Sequence, residues 1–221
     1  SFMKSLSLES SLTDQGLNPE QINAMDYFLN ELFRWNRVHN LTAIEDTDAA
    51  INLHLIDSII IFPILMRYLD HSSSLEAAPR RIADMGSGGG LPGIPLAILR
   101  PQWNFHLVEA SKKKAAFLQH VRGALYMKNV SVMAKRVEDV AQEMAGEFDA
   151  VTARAFTRLR RLLELARPLL KPSGLVFAMK SQRSDEEIAE VSKDEWSLLD
   201  ECVTTLPGQK LDRRLLIFQT K

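Results

Sequence analysis

Five glycines fall within eight residues of one loop, directly after a short apolar run. The loop extends from Asp84 to Gly93 and leads into a helix-like segment. Glycine at alternate positions lets the backbone approach a ligand closely, because no Cβ intervenes and a positive φ is allowed. A simple tight turn rarely needs so many glycines, so the loop predicts a cofactor site.

The glycine spacing fits two kinds of cofactor. Gly88, Gly90 and Gly93 satisfy the dinucleotide fingerprint, whereas Asp84 followed by Gly86 and the next alternate glycines satisfies the S-adenosylmethionine form. An acid ahead of the glycines suits a cofactor that carries an ammonium and a sulfonium, and it would repel a pyrophosphate. This acid favours S-adenosylmethionine and leaves a nicotinamide cofactor as the alternative.

Three later positions each follow an apolar run and would border the same crevice. Glu109 could hydrogen-bond the ribose diol of either cofactor. The backbone at Val137 and Glu138 could bind an adenine, although an ordinary helix start explains this acidic segment equally well. The guanidinium of Arg154 could donate two parallel hydrogen bonds to a carboxylate or a phosphate. We therefore predict Arg154 as the catalytic residue.

These positions require a parallel sheet to bring them together. From Arg80 onward, short apolar runs alternate with helix-like stretches, a pattern typical of βαβ units covered on both faces. The predicted strands are 82–85, 105–108, 130–133, 148–152 and 175–179, and the predicted helices are 94–99, 112–127, 159–170 and 185–190. Strands at 197–205 and 215–220 follow, and their short link favours an antiparallel hairpin.

The N-terminal part of the chain has a helical pattern instead. Apolar residues recur at three and four positions over 19–37, and a second helical stretch at 48–69 is expected to break or kink at Pro63. We therefore predict a helical extension at 1–78 and an S-adenosylmethionine-binding domain at 79–221. By analogy of chain order, this domain has the α/β class I, Rossmann-like methyltransferase fold, with a mainly parallel seven-stranded sheet closed by an antiparallel hairpin.

The net charge of −1 hides an uneven distribution. Residues 1–78 hold eleven acidic and four basic side chains, whereas residues 111–136 hold seven basic and no acidic ones. Lys112, Lys113 and Lys114 fall in the first turn of a predicted helix, where the helix dipole disfavours cations. RNA phosphate would favour them there, and a solvated charged face is the simpler alternative.

Composition argues against several other classes of protein. The longest apolar run has eight residues, far fewer than the roughly 20 that span a bilayer, and no signal-peptide pattern precedes it, so we expect a cytoplasmic protein with no membrane segment. Cys202 is the single cysteine and cannot form an internal disulfide. The five histidines lack metal-ligand spacing, so no metal is expected.

Several short motifs occur together in this chain. They are Trp35-Asn36 with Asn40-Leu41-Thr42, His54-Leu55-x-Asp57-Ser58, the loop and helix start from Gly86 to Ala97, and Ala153-Arg154-Ala155. Jointly they resemble the glucose-inhibited division protein B family, bacterial methyltransferases that act on guanine N7 in 16S ribosomal RNA. The resemblance covers about residues 35–180.

This resemblance implies S-adenosylmethionine as the cofactor and 16S ribosomal RNA or the small ribosomal subunit as the partner of a monomeric enzyme. It implies cofactor contacts at Gly86, Leu91, Val137, Glu138 and Arg154, and it places Glu109 at the position of the ribose-binding acid. Gly88 of the same loop is a further cofactor candidate. The candidate substrate residues are Asn40, His54, Asp57, Lys112, Lys113, Lys114 and Lys180. Lys180-Ser181 departs from the usual Lys-Gly of the family, which leaves the assignment of Lys180 open.

Guanine N7 carries a free lone pair, so its methylation needs no general base. The chain accordingly lacks the Asn/Asp-Pro-Pro-Tyr/Phe motif of exocyclic amine methylation and a Pro-Cys nucleophile for cytosine C5. Other hypotheses remain at this point: a methyltransferase acting on another RNA, a protein or a small molecule, a nicotinamide-dependent oxidoreductase, and a cofactor-sensing module without activity.

Overall fold

The structure is a computed structural model. It describes residues 16–39, 55–70, 79–154, 157–180, 185–205 and 212–221.

A seven-stranded sheet forms the centre of the described structure. Its strands are β1 (Arg81–Met85), β2 (Asn104–Val108), β3 (Val130–Met133), β4 (Phe148–Arg154), β5 (Leu170–Lys180), β6 (Trp196–Thr205) and β7 (Asp212–Thr220). Their spatial order is β3-β2-β1-β4-β5-β7-β6; β7 runs antiparallel to its two neighbours and the other pairs are parallel. This confirms the predicted mainly parallel sheet with its closing hairpin. The strand order reverses between β1 and β4, and such a reversal opens a ligand crevice at the carboxyl ends of the strands.

Helices cover both faces of this sheet. They are α1 (Pro19–His39), α2 (Phe62–Leu69), α3 (Gly93–Leu99), α4 (Lys112–Ala124), α5 (Val137–Glu143), α6 (Leu159–Ala166) and α7 (Asp185–Ala189), and residues 55–60 are also helical. One apolar core lies between the sheet and α1 to α4, and it includes Phe28 and Phe177. The second core lies between the opposite face and α5 and α6, and it includes Val140 and Leu163.

Several predicted boundaries differ from the structure, among them the starts of β5 and β7, which are Leu170 instead of 175 and Asp212 instead of 215. The predicted break of the N-terminal helical stretch near Pro63 is confirmed: the helix is interrupted at Ile61, and Pro63 occupies the first turn of α2, where its missing N–H costs nothing. The predicted start at 48–54 lies outside the described residues. The fourth helix ends at Ala124 instead of 127, because Tyr126 adopts a φ of 52°. The sixth ends at Ala166 and Leu170 already belongs to β5.

Within the part of the chain that the structure describes, no helix is both long and apolar enough to cross a membrane.

Candidate functional site

The glycine loop lies at the carboxyl end of β1, beside the point where the strand order reverses. Gly86 and Gly88 have φ values of 62° and 58°, a region that side chains with a Cβ rarely adopt. Among the residues that the structure describes, a Cβ built on Gly88 would meet only the carbonyl oxygen of Gly86, at 3.8 Å. That side of the loop therefore faces open space, where a cofactor can approach the backbone.

Hydrogen bonds to Asp84 hold the glycine loop and connect it to β4. Asp84 Oδ2 accepts hydrogen bonds from the Ser87 hydroxyl at 2.7 Å and from the Gly93 N–H at 3.2 Å. Its Oδ1 accepts one from the Thr152 hydroxyl of β4 at 2.8 Å. A Cβ on Gly93 would lie 2.6 Å from Asp84 Oδ2 and 2.4 Å from Leu107, so only glycine fits there. Gly93 completes the dinucleotide spacing, and its close contact with Asp84 explains why this position requires glycine.

The burial of Asp84 differs from the expectation that it faces the charged end of a cofactor. Its side chain has no exposed surface, and both oxygens bind protein donors. Burial raises its pKa to about 6, against the opposing effects of the hydrogen bonds and of the Arg154 charge. The acid therefore fixes the loop and does not line the crevice.

Glu109 joins the glycine loop to the end of β2. Its Oε1 accepts from the Gly88 N–H at 2.9 Å, and its Oε2 accepts from the Ser111 N–H at 2.7 Å. Each carboxylate oxygen has two lone pairs, so each can accept a further hydrogen bond from a sugar hydroxyl. Glu109 is therefore placed beside the open side of the loop with acceptor capacity remaining.

Arg154 ends β4 on the sheet face that carries Thr152, because alternate residues of a strand point the same way. Its charge acts on two buried carboxyls, Asp84 and Asp57. The pKa of Asp57 is raised by burial, while Arg213 and then Arg154 oppose the shift. The Nε of Arg213 lies 3.8 Å from Asp57 Oδ2. Arg213 was not predicted from the sequence, since its only signal is a basic pair next to a predicted strand.

A family model described as rRNA small subunit methyltransferase G matches residues 21–217. The chain belongs to this family. A relative named ribosomal RNA small subunit methyltransferase G, from Polynucleobacter asymbioticus, is 51% identical over 201 residues, covering 91% of this chain and 88% of its own. Another of that name, from Sorangium cellulosum, is 46% identical over 75% of this chain and 66% of its own. The family is the one that the sequence motifs resemble, so that prediction is confirmed.

Solved structures place this family member in the class I methyltransferase fold. A variant of the 16S rRNA (adenine(1408)-N(1))-methyltransferase from Catenulisporales acidiphilia, solved with its cosubstrate SAM, aligns with a TM-score of 0.50 at 17% identity. The alignment covers 65% of this chain and 85% of that one. At this identity the likeness shows the fold alone.

Three further cofactor residues of the family pattern differ in how they could act. Val137 and Glu138 begin α5, and the first N–H groups of a helix have no partner within it, so they can donate to a bound ring. Leu91 has its side chain in the core between α1 and the sheet, so only its backbone can reach a ligand. These cofactor roles stay predictions.

The two basic clusters of this family member have different surroundings. Lys112 and Lys113 are exposed and Lys114 is half-buried, in a helix turn that contains no acid, and none forms an ion pair with a described residue. By contrast, the arginines on and beside α6 have acidic partners: Arg158 binds Glu190, Arg160 and Arg161 bind Glu164, and Arg167 binds Glu195. The lysine cluster therefore keeps its charge available for a partner.

The remaining substrate candidates separate into three groups. Lys180 is buried on the sheet face opposite Arg154, and its Nζ donates to Glu187 at 3.0 Å and to the Thr157 carbonyl at 3.3 Å, so contact with RNA would require breaking that pair. Asp57 is buried beside Arg213. Asn40 and His54 lie outside the described residues. No cluster of His, Cys, Asp and Glu that could hold a metal occurs among the residues described.

Proposed function

We propose that this protein transfers a methyl group from S-adenosylmethionine to N7 of a guanine in 16S ribosomal RNA. Membership of the rRNA small subunit methyltransferase G family carries the proposal. The cofactor supplies a methyl group activated on a sulfonium sulfur. The residues of the chain hold that cofactor and orient the guanine.

The cofactor would occupy the open side of the glycine loop. Gly86 and Gly88 let the backbone approach its methionine end, Glu109 accepts from the ribose hydroxyls, and the first turn of α5, at Val137 and Glu138, donates to the adenine. This assignment is supported by the absence of a clash for a Cβ at Gly88 and by the free acceptor capacity of Glu109. The donor set suits S-adenosylmethionine because it is neutral or acidic, as a ligand with an ammonium and a sulfonium requires.

The carboxylates beside the crevice support a reaction without a general base. A pKa of about 6 would suit Asp84 to accept a proton from a substrate. However, Asp84 is buried, and both of its oxygens accept hydrogen bonds from protein donors. Asp57 is also buried, next to Arg213. An N7 lone pair attacks without losing a proton, so neither acid is required to act, and positioning and electrostatics supply the catalysis.

Arg154 is the catalytic candidate in this scheme. It lies at the carboxyl end of β4, beside the crevice, and its guanidinium can donate two parallel hydrogen bonds to guanine O6 or to an RNA phosphate. Binding O6 would hold N7 in line with the methyl group. Lys112, Lys113 and Lys114 would attract the RNA backbone. Because N7 is hidden in the deep groove of A-form RNA, the target is an unpaired or splayed guanine.

The test uses small ribosomal subunits from cells that lack the enzyme, incubated with protein and radiolabelled S-adenosylmethionine. We expect label in 16S RNA and a strand break at one guanine after reduction and aniline cleavage. Arg154→Ala should reduce this label by at least about a hundredfold, as expected when a transition-state donor is removed. The matched control Arg160→Ala should retain it, because Arg160 is exposed and paired with Glu164. A wild-type protein that binds S-adenosylmethionine but labels no RNA would refute the proposal.

A further inference from the structure

Two arginines occupy the same edge and the same face of the sheet although their strands are not neighbours. Arg154 of β4 pairs with Met179 of β5, which in turn pairs with Leu215 of β7. Residues opposite each other in such a ladder share a face, and so do residues two apart in one strand. Arg213, two residues before Leu215, therefore shares the face of Arg154 at the carboxyl edge. Two strand spacings, about 10 Å, separate their strands, and Arg213 lies a further two residues, about 7 Å, along the strand direction.

Asp57 lies over this face of the sheet, beside Arg213. It belongs to the helical segment 55–60, which packs in the same core as Met179 and Leu215. Its side chain is 8% exposed, and its Oδ2 is 3.8 Å from the Nε of Arg213. The charges of both arginines lower its pKa against the effect of burial. The buried carboxylate thus forms an ion pair with Arg213 and also feels the charge of Arg154.

The exposed part of Arg213 is the part of this site that can meet an anionic substrate. A buried carboxylate without a cation would be costly, and Asp57 meets that requirement through Arg213 and Arg154. Arg154 also acts on the buried carboxyl of Asp84, so Arg213 carries the part of the positive charge that reaches the surface. The Arg213 side chain is 24% exposed, so part of this charge remains accessible.

We propose that Asp57 is a positioning residue whose carboxylate holds the guanidinium groups of Arg154 and Arg213 toward the RNA substrate. Arginine side chains have many rotamers, and a fixed counter-ion reduces the entropy that is lost when they bind a substrate. Asp57 itself touches neither the cofactor nor the guanine. The inference rests on the proposed function for the identity of the substrate, but not for the arrangement of the three side chains.

The first test separates a role of charge from a role of packing. Asp57→Asn keeps the size of the side chain and removes its charge, whereas Asp57→Glu keeps the charge and adds a methylene. If the carboxylate positions the arginines, the turnover number falls in the order wild type, Asp57→Glu, Asp57→Asn, with at least a tenfold loss for the last. If Asp57 only fills space, Asn is tolerated better than Glu, and that order would overturn the proposal.

The second test is a double-mutant cycle on turnover with Asp57→Asn and Arg154→Lys. Residues that act together have coupled effects, so Asp57→Asn should lower turnover at least tenfold in the wild type and less than threefold in the Arg154→Lys background. Equal losses in both backgrounds would overturn the proposal. Asp70→Asn serves as the control, because Asp70 also pairs with an arginine, Arg100, at the far end of α2, and turnover should not change.

A third measurement does not depend on activity. In ¹⁵N spectra of the whole protein, the arginine Nε–H signals of Arg154 and Arg213, assigned with the two Arg→Lys variants, should be protected from solvent exchange. Asp57→Asn should speed their exchange at least tenfold while Asp70→Asn leaves it unchanged. Unchanged exchange in Asp57→Asn would overturn the inference. If these signals respond as expected while wild-type protein labels no RNA, the proposed function fails and the positioning role of Asp57 stands.

Discussion

At the scale of single residues, acids hold the crevice in shape through protein donors. Asp84 fixes the glycine loop to β4, Glu109 joins that loop to the segment after β2, and Asp57 faces two arginines. Backbone N–H and hydroxyl groups are thereby fixed before any ligand binds. Preorganised donors of this kind need no rearrangement at the moment of reaction, which suits a transfer that depends on positioning.

The buried carboxyl of Asp84 should give the stability of the protein a distinct pH dependence. Its pKa is raised from 3.8 to about 6 in the folded state, so between these values the folded protein binds the proton more tightly than the unfolded chain. Stability from this group therefore decreases as the pH rises through 6. Relative to Asp84→Asn, the wild type should gain about 1 kcal/mol of unfolding free energy between pH 7 and pH 5.

Urea unfolding of both proteins at pH 5, 6 and 7 measures this difference. Groups other than Asp84 titrate alike in the two proteins, so they cancel. A difference that stays constant over this range would show that the folded-state pKa of Asp84 is not raised.

A methyl group added to the glycine loop should weaken cofactor binding selectively. Gly88 has a φ of 58° and faces open space, so Gly88→Ala would direct its methyl into the cofactor site. Gly146 has a φ of 67° and a nearest Cβ contact of 3.9 Å, but it lies at the amino end of β4, away from the crevice. Both alanine variants should lose about 1 kcal/mol of stability through backbone strain. Only Gly88→Ala should lose S-adenosylmethionine affinity, by at least tenfold in calorimetry. Equal affinity in the two variants would remove Gly88 from the site.

At the scale of elements, the two helices with clustered basic residues should differ in their effect on RNA. The first turn of α4 concentrates three lysines without an acid, although the dipole at a helix start disfavours cations. The arginines of α6 are exposed but paired with Glu164 and Glu190. Local charge therefore favours α4 as the element that meets the RNA backbone.

Replacing Lys112, Lys113 and Lys114 by Gln should raise the KM for ribosomal subunits and leave the affinity for S-adenosylmethionine unchanged. The slope of log affinity against log salt should become less steep by about two to three, at roughly 0.7 to 0.9 for each phosphate that a lysine no longer neutralises. The matched variant Arg160→Gln/Arg161→Gln should change neither quantity. If the α6 variant alone weakened binding, the RNA would approach over the other face of the sheet.

Sequence patterning predicted the elements better than their ends or their side-chain contacts. The strands and the closing hairpin follow from runs of apolar residues, because a strand buried on both faces must be apolar throughout. The predicted end of α4 was wrong, since Leu125 and Met127 continue the apolar spacing while Tyr126 turns the backbone to a φ of 52°. Likewise, nothing local indicates that Asp57 meets Arg213, because that contact depends on how a helix lies over the sheet.

For the candidate site, the sequence likewise predicted the positions of residues but not the directions of their side chains. Positions that follow strands, such as Glu109 and Arg154, can be found from the sequence because parallel strands end at one edge. The direction of a side chain at such a position cannot be found from the sequence in this way. Asp84 was expected to face the cofactor, yet its parity on β1 directs it into the interior beside Thr152. Lys180 likewise ends β5 on the face opposite Arg154, where it binds Glu187.

At the scale of the whole molecule, the N-terminal helices cover one face of the sheet. Phe28 of α1 packs beside Phe117 of α4, with ring centroids 6.3 Å apart. Tyr68 of α2 packs edge-on against Phe177 of β5, with a centroid distance of 6.3 Å, and its hydroxyl donates to Asp200 of β6 at 2.8 Å. The predicted helical extension at residues 1–78 and the predicted domain at 79–221 thus share one apolar core.

This shared core leads us to expect that residues 79–221 do not fold stably alone. Without α1, the 55–60 helix and α2, the side chains of Phe117 and Phe177 would be left on a large apolar surface, which soluble monomers rarely expose. The isolated fragment should bind an apolar dye and lack a cooperative thermal transition, and coexpression with residues 1–78 should restore both behaviours to those of the whole chain. A fragment that unfolded cooperatively within a few degrees of the whole protein would contradict this expectation. It would also mean that the N-terminal helices form a separable unit. Asp57 would then act on Arg154 and Arg213 from that unit, since the 55–60 helix that carries Asp57 is one of these helices.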